Sequence, residues 1–195
     1  MALARSTPAP GTWTYDDLLA LPDDGKRYEI IEGELYELPG PNAEHALTIV
    51  NLLLLLAPIV RALGGTILTA PFDVFFPGAD PVQPDILVLL PAGASLRRRG
   101  VRGAPDLVIE VLSPSNRGHD LLTKRALYGR AGVREYWVVD PVARTIEILV
   151  LDRDALHAHR TMAGTEPIAS LLLPAAAFPA AAAFAGLDEI EPDEA

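Results

Sequence analysis

Hydrophobic and polar positions change their spacing along this chain of 195 residues, and each change of period marks a predicted element. Thr14 is suited to cap a short helix over residues 15–20, with Asp17 at the third helical position. Loose alternation on both sides of Glu32-Gly33, within RYEIIEGELYEL, predicts a β-hairpin. The first forty residues therefore predict a short helix followed by two paired strands.

The most apolar segment lies between residues 43 and 63, and Asn42 is suited to cap a helix there. Because the segment is apolar nearly all round, we expect this helix to be buried and to be kinked at Pro58. The longest apolar run, residues 49–60, is interrupted by Asn51 and Pro58. It is shorter than the roughly 20 apolar residues that a membrane span requires.

Three apolar runs follow with the character of strands, TILTAPFDVFF, PDILVLL and PDLVIEVL, separated by turns rich in Gly and Pro. A second helix is predicted over about 120–130, and REYWVVD and TIEILVL predict two further strands. The predicted order is helix, three strands, helix and two strands. We expect one domain over residues 12–187, between a flexible leader (1–11) and an acidic, frayed tail (188–195).

Composition excludes several kinds of site. The chain has no cysteine, so disulfides, thiolate nucleophiles and Cys-ligated zinc are impossible. The first eleven residues, MALARSTPAPG, lack the apolar stretch of a signal peptide. We therefore expect a cytoplasmic protein with no membrane partner.

The net charge of −10 at first argues against a nucleic-acid partner, because nucleic-acid affinity comes largely from Lys and Arg neutralising phosphates. The charges are segregated, however, since residues 91–160 carry 12 basic and 8 acidic side chains. Four of the basic side chains, Arg97, Arg98, Arg99 and Arg102, lie in the long loop between two predicted strands. They are suited to hold a phosphate backbone, and a solvated loop without function is the alternative.

Glu110 is the least expected polar residue, because it lies among Val, Leu and Ile in DLVIEVL. Burial of an unpaired carboxylate is costly or raises its pKa, so a cation or hydrogen-bond donors must meet it. Antiparallel pairing with the preceding strand would place Asp85, in QPDILVLL, next to Glu110, and a divalent cation would remove their repulsion. Parallel pairing would instead place Asp85 beside Asp106. A buried arginine, Arg125 or Arg134, is the alternative partner of Glu110.

Lys124 lies fourteen residues after Glu110, on the predicted second helix. Its ammonium group is suited to hold and help deprotonate a water on the metal, or to stabilise a pentacovalent phosphate. A surface ion pair with Asp120, four residues earlier, is the alternative. Arg117, in SPSNRG at the entrance of that helix, suits phosphate contacts or capping equally well.

The run APDLVIEVLSPSNRGHDLLTKRALYGRAGVREYWVVDP, with RYEIIEGEL and QPDILVL upstream, resembles the Uma family of restriction-endonuclease-like proteins in the PD-(D/E)XK nuclease superfamily. The similarity extends from about Thr12 to Leu151. It implies an α/β fold with an αβββαβ core, in which helices flank a central mixed sheet, together with the N-terminal hairpin. It also implies an endonuclease that uses Mg²⁺ (or Mn²⁺) to hydrolyse phosphodiester bonds of nucleic acid. The expected substrate is DNA, and the expected product carries a 5′-phosphate.

The resemblance also implies roles for single residues. Asp85 and Glu110 match the first and second acidic positions of the superfamily, where they are metal ligands and catalytic residues. The superfamily expects Lys two residues after the second acid, and this chain has Leu112 there. In the Uma family the lysine lies on the next helix, which makes Lys124 the catalytic lysine here.

Two further residues gain a role from the resemblance. His45, in PNAEH, matches the family's acidic-His stretch and is expected at the catalytic site; a lone His at a helix start is otherwise a local hydrogen-bonding residue. Glu34, in EGEL, matches as a supporting residue, whereas a hairpin carboxylate that faces water is the alternative.

Two other functions fit the same residues. One is a non-catalytic nucleic-acid or protein-binding module of the same fold, which the net charge favours. The other is a glycosidase, which also uses two acids, although aromatic residues are sparse near Asp85 and Glu110. We expect a homodimer or higher homo-oligomer, with the leucine-rich run IVNLLLLL as a candidate contact face.

Overall fold

The computed structural model describes residues 8–38, 42–91, 93–113 and 119–191. Within them it has three α-helices, which are α1 (Tyr15–Leu19), α2 (Ala43–Ala62) and α3 (His119–Ala131). The strands are β1 (Arg27–Ile31), β2 (Glu34–Leu38), β3 (Thr66–Thr69), β4 (Val74–Phe75), β5 (Ile86–Leu89), β6 (Ser95–Arg97), β7 (Gly100–Arg102), β8 (Leu107–Val111), β9 (Glu135–Asp140), β10 (Thr145–Asp152) and β11 (Ala155–Ala163). Two short 3-10 helices, Ala180–Phe184 and Leu187–Glu189, follow β11.

The N-terminal segment has the predicted helix and hairpin. Thr14 caps α1 and forms a capping box with Asp17. Strands β1 and β2 pair antiparallel around Glu32 and Gly33, which both adopt positive φ (53° and 78°). A Cβ at Gly33 would lie 2.5 Å from the carbonyl oxygen of Gly11, so glycine is required there. Gly11, the last residue of the expected leader, thus packs against the hairpin turn.

Six strands form the central sheet, in the order β11-β10-β9-β8-β5-β3. The β8–β9 pair is parallel and the other neighbouring pairs are antiparallel. Along the chain, α2, β3, β5, β8, α3 and β9 follow one another. This confirms the predicted αβββαβ core and its mixed sheet.

Alternation along the central strands divides the core into two layers. On one face, Ile86 and Ile109 belong to the cluster that contains the buried residues of α2. On the other face, Leu87 and Val108 pack in a cluster with Tyr128 of α3. The hairpin β1–β2 contributes Ile31 to this second layer. A polar residue in the middle of β8 therefore faces one helix or the other, and it has no route to open solvent across the sheet.

Helix α2 is buried along one stripe, not all round as its composition suggested. Thr48, Leu52, Leu56 and Val60, spaced four residues apart, are buried, whereas the Leu54 residue is 71% exposed. The helix continues through Pro58 to its end at Ala62. By length and composition alone α2 is able to cross a membrane, but its buried stripe packs into the core beside the sheet.

Three strands were not predicted from the sequence. Strands β6 and β7 form a hairpin within the long loop between β5 and β8, and β7 pairs in parallel with β4. Strand β11 pairs with β10 and forms one edge of the central sheet. The β6–β7 hairpin carries most of the arginine cluster, so these residues belong to a small three-stranded sheet.

Candidate functional site

The register of β5 and β8 brings two carboxylates together. Ile86 pairs with Ile109 in an antiparallel ladder, so Asp85, directly before β5, stands opposite Glu110. The Val111 amide N–H donates a hydrogen bond to Asp85 Oδ2 (2.8 Å). The antiparallel pairing expected from the sequence is therefore present, and Asp85 and Glu110 lie on the same face of the sheet.

Asp106 lies at the opposite end of β8 and has a structural role there. Its Oδ2 accepts a hydrogen bond from the Leu90 amide (2.7 Å), and its Oδ1 accepts one from Arg134 Nη1 (2.9 Å). The parallel alternative, with Asp85 beside Asp106, is wrong.

Glu110 is buried and meets α3. Tyr128 donates its hydroxyl proton to Glu110 Oε1 (2.6 Å), and Lys124 Nζ lies 3.2 Å from the same oxygen. Burial, which Lys124 opposes and the negative charges of Asp85 and Glu29 reinforce, brings the pKa of Glu110 from its ordinary value of 4.5 to about 8. Burial also raises the pKa of Tyr128 well above its usual value. This hydroxyl therefore stays protonated and is the donor of the hydrogen bond to Glu110.

The partner of Glu110 is thus a lysine and a tyrosine, not an arginine as the sequence left open. Arg125 donates from Nε and Nη2 to the carbonyl oxygen of Leu156, and Arg134 binds Asp106. Both candidate arginines are occupied in holding the fold together.

Lys124 is buried between two carboxylates. Its Nζ lies 3.1 Å from Glu29 Oε2 and 3.2 Å from Glu110 Oε1, and its side chain is only 6% exposed. The Gln83 amide N–H donates to the other oxygen of Glu29 (3.0 Å). Lys124 is therefore a buried residue and not a surface one, and its ammonium group lies inside the site; the side chain of Asp120, its alternative partner, lies outside the described part of the chain.

His45 lies in the first turn of α2 and points to Asp85. The helix cap fixes its backbone, because the His45 amide N–H donates to Asn42 Oδ1 (2.9 Å). Its Nε2 lies 3.2 Å from Asp85 Oδ2. Its Nδ1 is buried and, within the part of the chain that the structure describes, has no hydrogen-bond partner.

The structure does not gather every predicted residue at this site. Glu34 is exposed at the start of β2, and Arg117 lies outside the described residues. The hairpin residue that does reach the site is Glu29, which the sequence analysis did not single out. Gln83 and Tyr128 are further residues at the site without a sequence signal of their own.

The arginine cluster lies near the site because the chain folds back after β5. The loop leaves β5 at the end remote from Asp85, but the β6–β7 hairpin folds back along β4. Arg98, Arg99 and Arg102 line a cavity whose wall also contains Gln83. Because Gln83 donates to Glu29, this cavity adjoins the buried cluster.

Negative charge exceeds positive charge in the cluster. Among the described residues, the ammonium group of Lys124 contacts the carboxylates of Glu29 and Glu110, and His45 contacts the carboxylate of Asp85. Within the described ranges no group of three or more His, Asp or Glu side chains is arranged to hold a metal ion. Two opposed carboxylates nevertheless fit Mg²⁺, which binds through one or two carboxylates and keeps several waters.

Comparisons with known proteins bear on the family and the fold. The chain matches the Uma2 family model, described as "Putative restriction endonuclease", over residues 15–181. Its fold is similar to the crystal structure of "a putative nuclease belonging to DUF820" from Anabaena variabilis ATCC 29413. That similarity has a TM-score of 0.71 at 20% identity and covers 90% of this chain and 99% of that chain. No functionally curated protein matches the chain significantly. Since the family model covers most of its length, the chain belongs to the Uma2 family of restriction-endonuclease-like proteins.

Proposed function

We propose that this chain is a divalent-metal-dependent endonuclease that hydrolyses phosphodiester bonds of DNA. Asp85 and Glu110 hold Mg²⁺ or Mn²⁺, and the bound ion supplies Lewis-acid activation of water and of the phosphate. The 5′-phosphate product is the expectation that came with the family resemblance. The proposal includes a cytoplasmic location. It also includes a homodimer or higher homo-oligomer, and the molar mass measured by static light scattering tests this.

One observation carries the proposal: a buried lysine lies between Glu29 and Glu110, beside a carboxylate that faces Asp85 across two strands. Burying so many ionisable groups is unfavourable for stability alone, since a well-packed apolar cluster is usually as stable or more so. Perturbed carboxyl groups that converge at one point are characteristic of reactive sites.

The side chains divide the work according to their contacts. Lys124 brings an ammonium group into the cluster, where it holds the attacking water and helps to remove its proton. Glu29 fixes the position of Lys124 from the side opposite Glu110. His45 and the Val111 amide both contact Asp85 Oδ2, which fixes the orientation of that carboxylate.

DNA is held by the arginines of the β6–β7 region. Arg97, Arg98, Arg99 and Arg102 supply positive charge that the rest of this acidic chain lacks, and Arg117 is proposed to add a fifth contact. Because such contacts neutralise phosphates, they set affinity without selecting a sequence.

The decisive experiment compares DNA cleavage by the wild type and by Glu110→Gln, each with Mg²⁺, with Mn²⁺ and with EDTA. Gln keeps the size of the side chain and removes the charge that holds the ion. We expect metal-dependent cleavage by the wild type and a loss of at least about a hundredfold in the variant. Glu37→Gln, an exposed hairpin glutamate that pairs with Lys26, is the matched control and should cleave normally. Equal cleavage by Glu110→Gln would contradict the proposal.

A non-catalytic nucleic-acid-binding module is the second candidate function. It is favoured by the contacts of Glu110, which already has a cationic and a neutral partner without a metal ion. Thermal unfolding with and without Mg²⁺ separates the candidates. The nuclease should gain stability from the ion and lose that gain in Asp85→Asn, whereas the binding module should show neither effect.

A further inference from the structure

A cavity of about 820 Å³ lies between α1, the segment after β3 and the β6–β7 hairpin. This volume is within the roughly 300–1,000 Å³ of small-molecule sites. Its wall combines three cationic side chains, Arg98, Arg99 and Arg102, and two carboxylates, Asp73 and Asp80, with aromatic rings that include Tyr15 and Phe75. Cations beside aromatic rings suit a ligand that is both planar and anionic.

In the aromatic part of the cavity, Phe75 packs against both Arg102 and Tyr15. The guanidinium group of Arg102 lies over the Phe75 ring, 3.7 Å from its centroid. Tyr15 meets the same ring edge-to-face at 5.7 Å, with an interplanar angle of 88°. A Cβ at Gly100 would lie 2.6 Å from the Phe75 ring, so β7 packs directly against it. A guanidinium plane fixed on one face by a ring leaves its other face to stack on a flat group.

Hydrogen bonds link this cavity to the buried carboxylates. Tyr15 donates its hydroxyl to Asp73 Oδ2 (2.8 Å), and the Gln83 side-chain amide donates to Asp73 Oδ1 (2.9 Å). The Gln83 backbone amide donates to Glu29, which pairs with Lys124. Both oxygens of Asp73 are therefore engaged, which reduces its repulsion of an anion in the cavity.

We infer that this cavity binds a single unpaired nucleotide of the nucleic-acid substrate, with its base on Arg102 and its phosphate between Arg98 and Arg99. The inference rests on the proposed nuclease function and names its substrate class, a strand with unpaired nucleotides. A paired base is stacked within its duplex and cannot enter the cavity, whereas an unpaired base stacks on aromatic and arginine planes at little cost. Since Gln83 lines the cavity and also binds Glu29, the bound nucleotide lies next to the reactive cluster.

Fluorescence anisotropy in EDTA tests the inference without cleavage. The probes are a labelled blunt DNA duplex and the same duplex with unpaired nucleotides at one end. We expect the wild type to bind the second probe at least about fivefold more tightly. Arg102→Lys keeps the charge but cannot stack as a plane, so it should lose this preference.

Arg61→Lys, on the exposed last turn of α2, is the matched control and should keep the preference. The inference is overturned if the wild type binds both probes equally, or if Arg102→Lys keeps the preference while thermal unfolding shows it folded. Displacement of the overhang probe by a free nucleoside 5′-monophosphate at similar concentration would also overturn it, because the cavity would then serve a free nucleotide. Cleavage without any preference would leave the nuclease proposal standing, and preference without cleavage would leave only this inference standing.

Discussion

At the scale of single residues, Lys124 decides the electrostatics of the site. Its ammonium group is shared by Glu29 and Glu110, and all three side chains are less than 10% exposed. Because these side chains are buried, water is not available to compensate for the loss of the ammonium charge. Removing it leaves two carboxylates without a counter-ion, which is far more costly than losing a surface ion pair.

We predict that Lys124→Met abolishes cleavage and lowers the free energy of unfolding by about 3–5 kcal/mol at pH 8. The loss of stability should be smaller at pH 5.5, where the carboxyl group of Glu110 holds its proton. Urea denaturation at both pH values measures it. The chain has one other lysine, Lys26, exposed on the hairpin, and Lys26→Met is the control that should change neither property. Wild-type cleavage by Lys124→Met would contradict the assigned role.

The pKa of Glu110 predicts how stability depends on pH in the absence of metal. The folded protein has a pKa of about 8 for this carboxyl, above the ordinary value of 4.5, so the folded state holds a proton that the unfolded chain releases. This contribution is fully present below about pH 4.5 and is lost as pH rises through about 8. In EDTA, the melting temperature of the wild type should fall from pH 5.5 to 8.5 more steeply than that of Glu110→Gln. Parallel curves for the two proteins would contradict the assignment.

The sequence predicted some of these residues and missed others for definite reasons. Glu110 stands out because a lone carboxylate in an apolar strand must have a partner. Glu29 does not, because three glutamates lie within six residues of the hairpin and local pattern cannot tell which one faces inward. The structure buries Glu29, Ile30 and Ile31 in succession, so alternation fails where both faces of β1 are covered. The catalytic and metal-binding roles themselves stay predictions.

At the scale of elements, the pairing of β5 with β8 positions the two acidic residues and α3 supplies the cation. The sequence predicted both strands, because β5 and β8 are largely apolar runs bounded by turn residues, but it left the direction of their pairing and the cation open. Strand β11 was missed because just two of its nine residues, Leu156 and Met162, are buried, so it carries no periodic signal. The burial of α2 was overestimated because composition counts apolar residues and cannot tell which face the core covers.

The one-sided burial of α2 predicts unequal costs for two leucines two positions apart. Leu56 is fully buried, so Leu56→Ala should lower the free energy of unfolding by about 2–5 kcal/mol. Leu54 is largely exposed, so Leu54→Ala should cost no more than about 0.5 kcal/mol. Urea denaturation of both variants checks the prediction, and equal costs would show that α2 is covered on its outer face as well.

At the scale of the whole molecule, charge is distributed unevenly, and under the proposed function this limits where DNA binds. The chain carries a net charge of −10, yet its only segment with excess positive charge, residues 91–160, includes the β6–β7 hairpin. Acidic surfaces elsewhere repel the phosphate backbone. Binding should therefore depend on a few arginine contacts and should weaken steeply with salt.

On a blunt duplex, where no nucleotide enters the cavity, one phosphate contact from each of Arg97, Arg98, Arg99 and Arg102 should contribute about −3.6 to the slope of the logarithm of the binding constant against the logarithm of salt concentration. Each Arg→Gln change in this set should reduce the magnitude of the slope by about one. Anisotropy titrations in EDTA across a salt series measure the slope. A slope that is unaffected by these four changes would place the DNA on another surface.

The most direct test of the central claim, that Asp85 and Glu110 jointly bind a divalent cation, is anomalous diffraction from crystals grown with Mn²⁺ and an oligonucleotide. The account predicts one strong anomalous peak in direct contact with a carboxylate oxygen of each residue, and its disappearance in Glu110→Gln crystals. The account would be contradicted by a crystal structure with a fully occupied oligonucleotide beside Lys124 and no manganese between the two carboxylates.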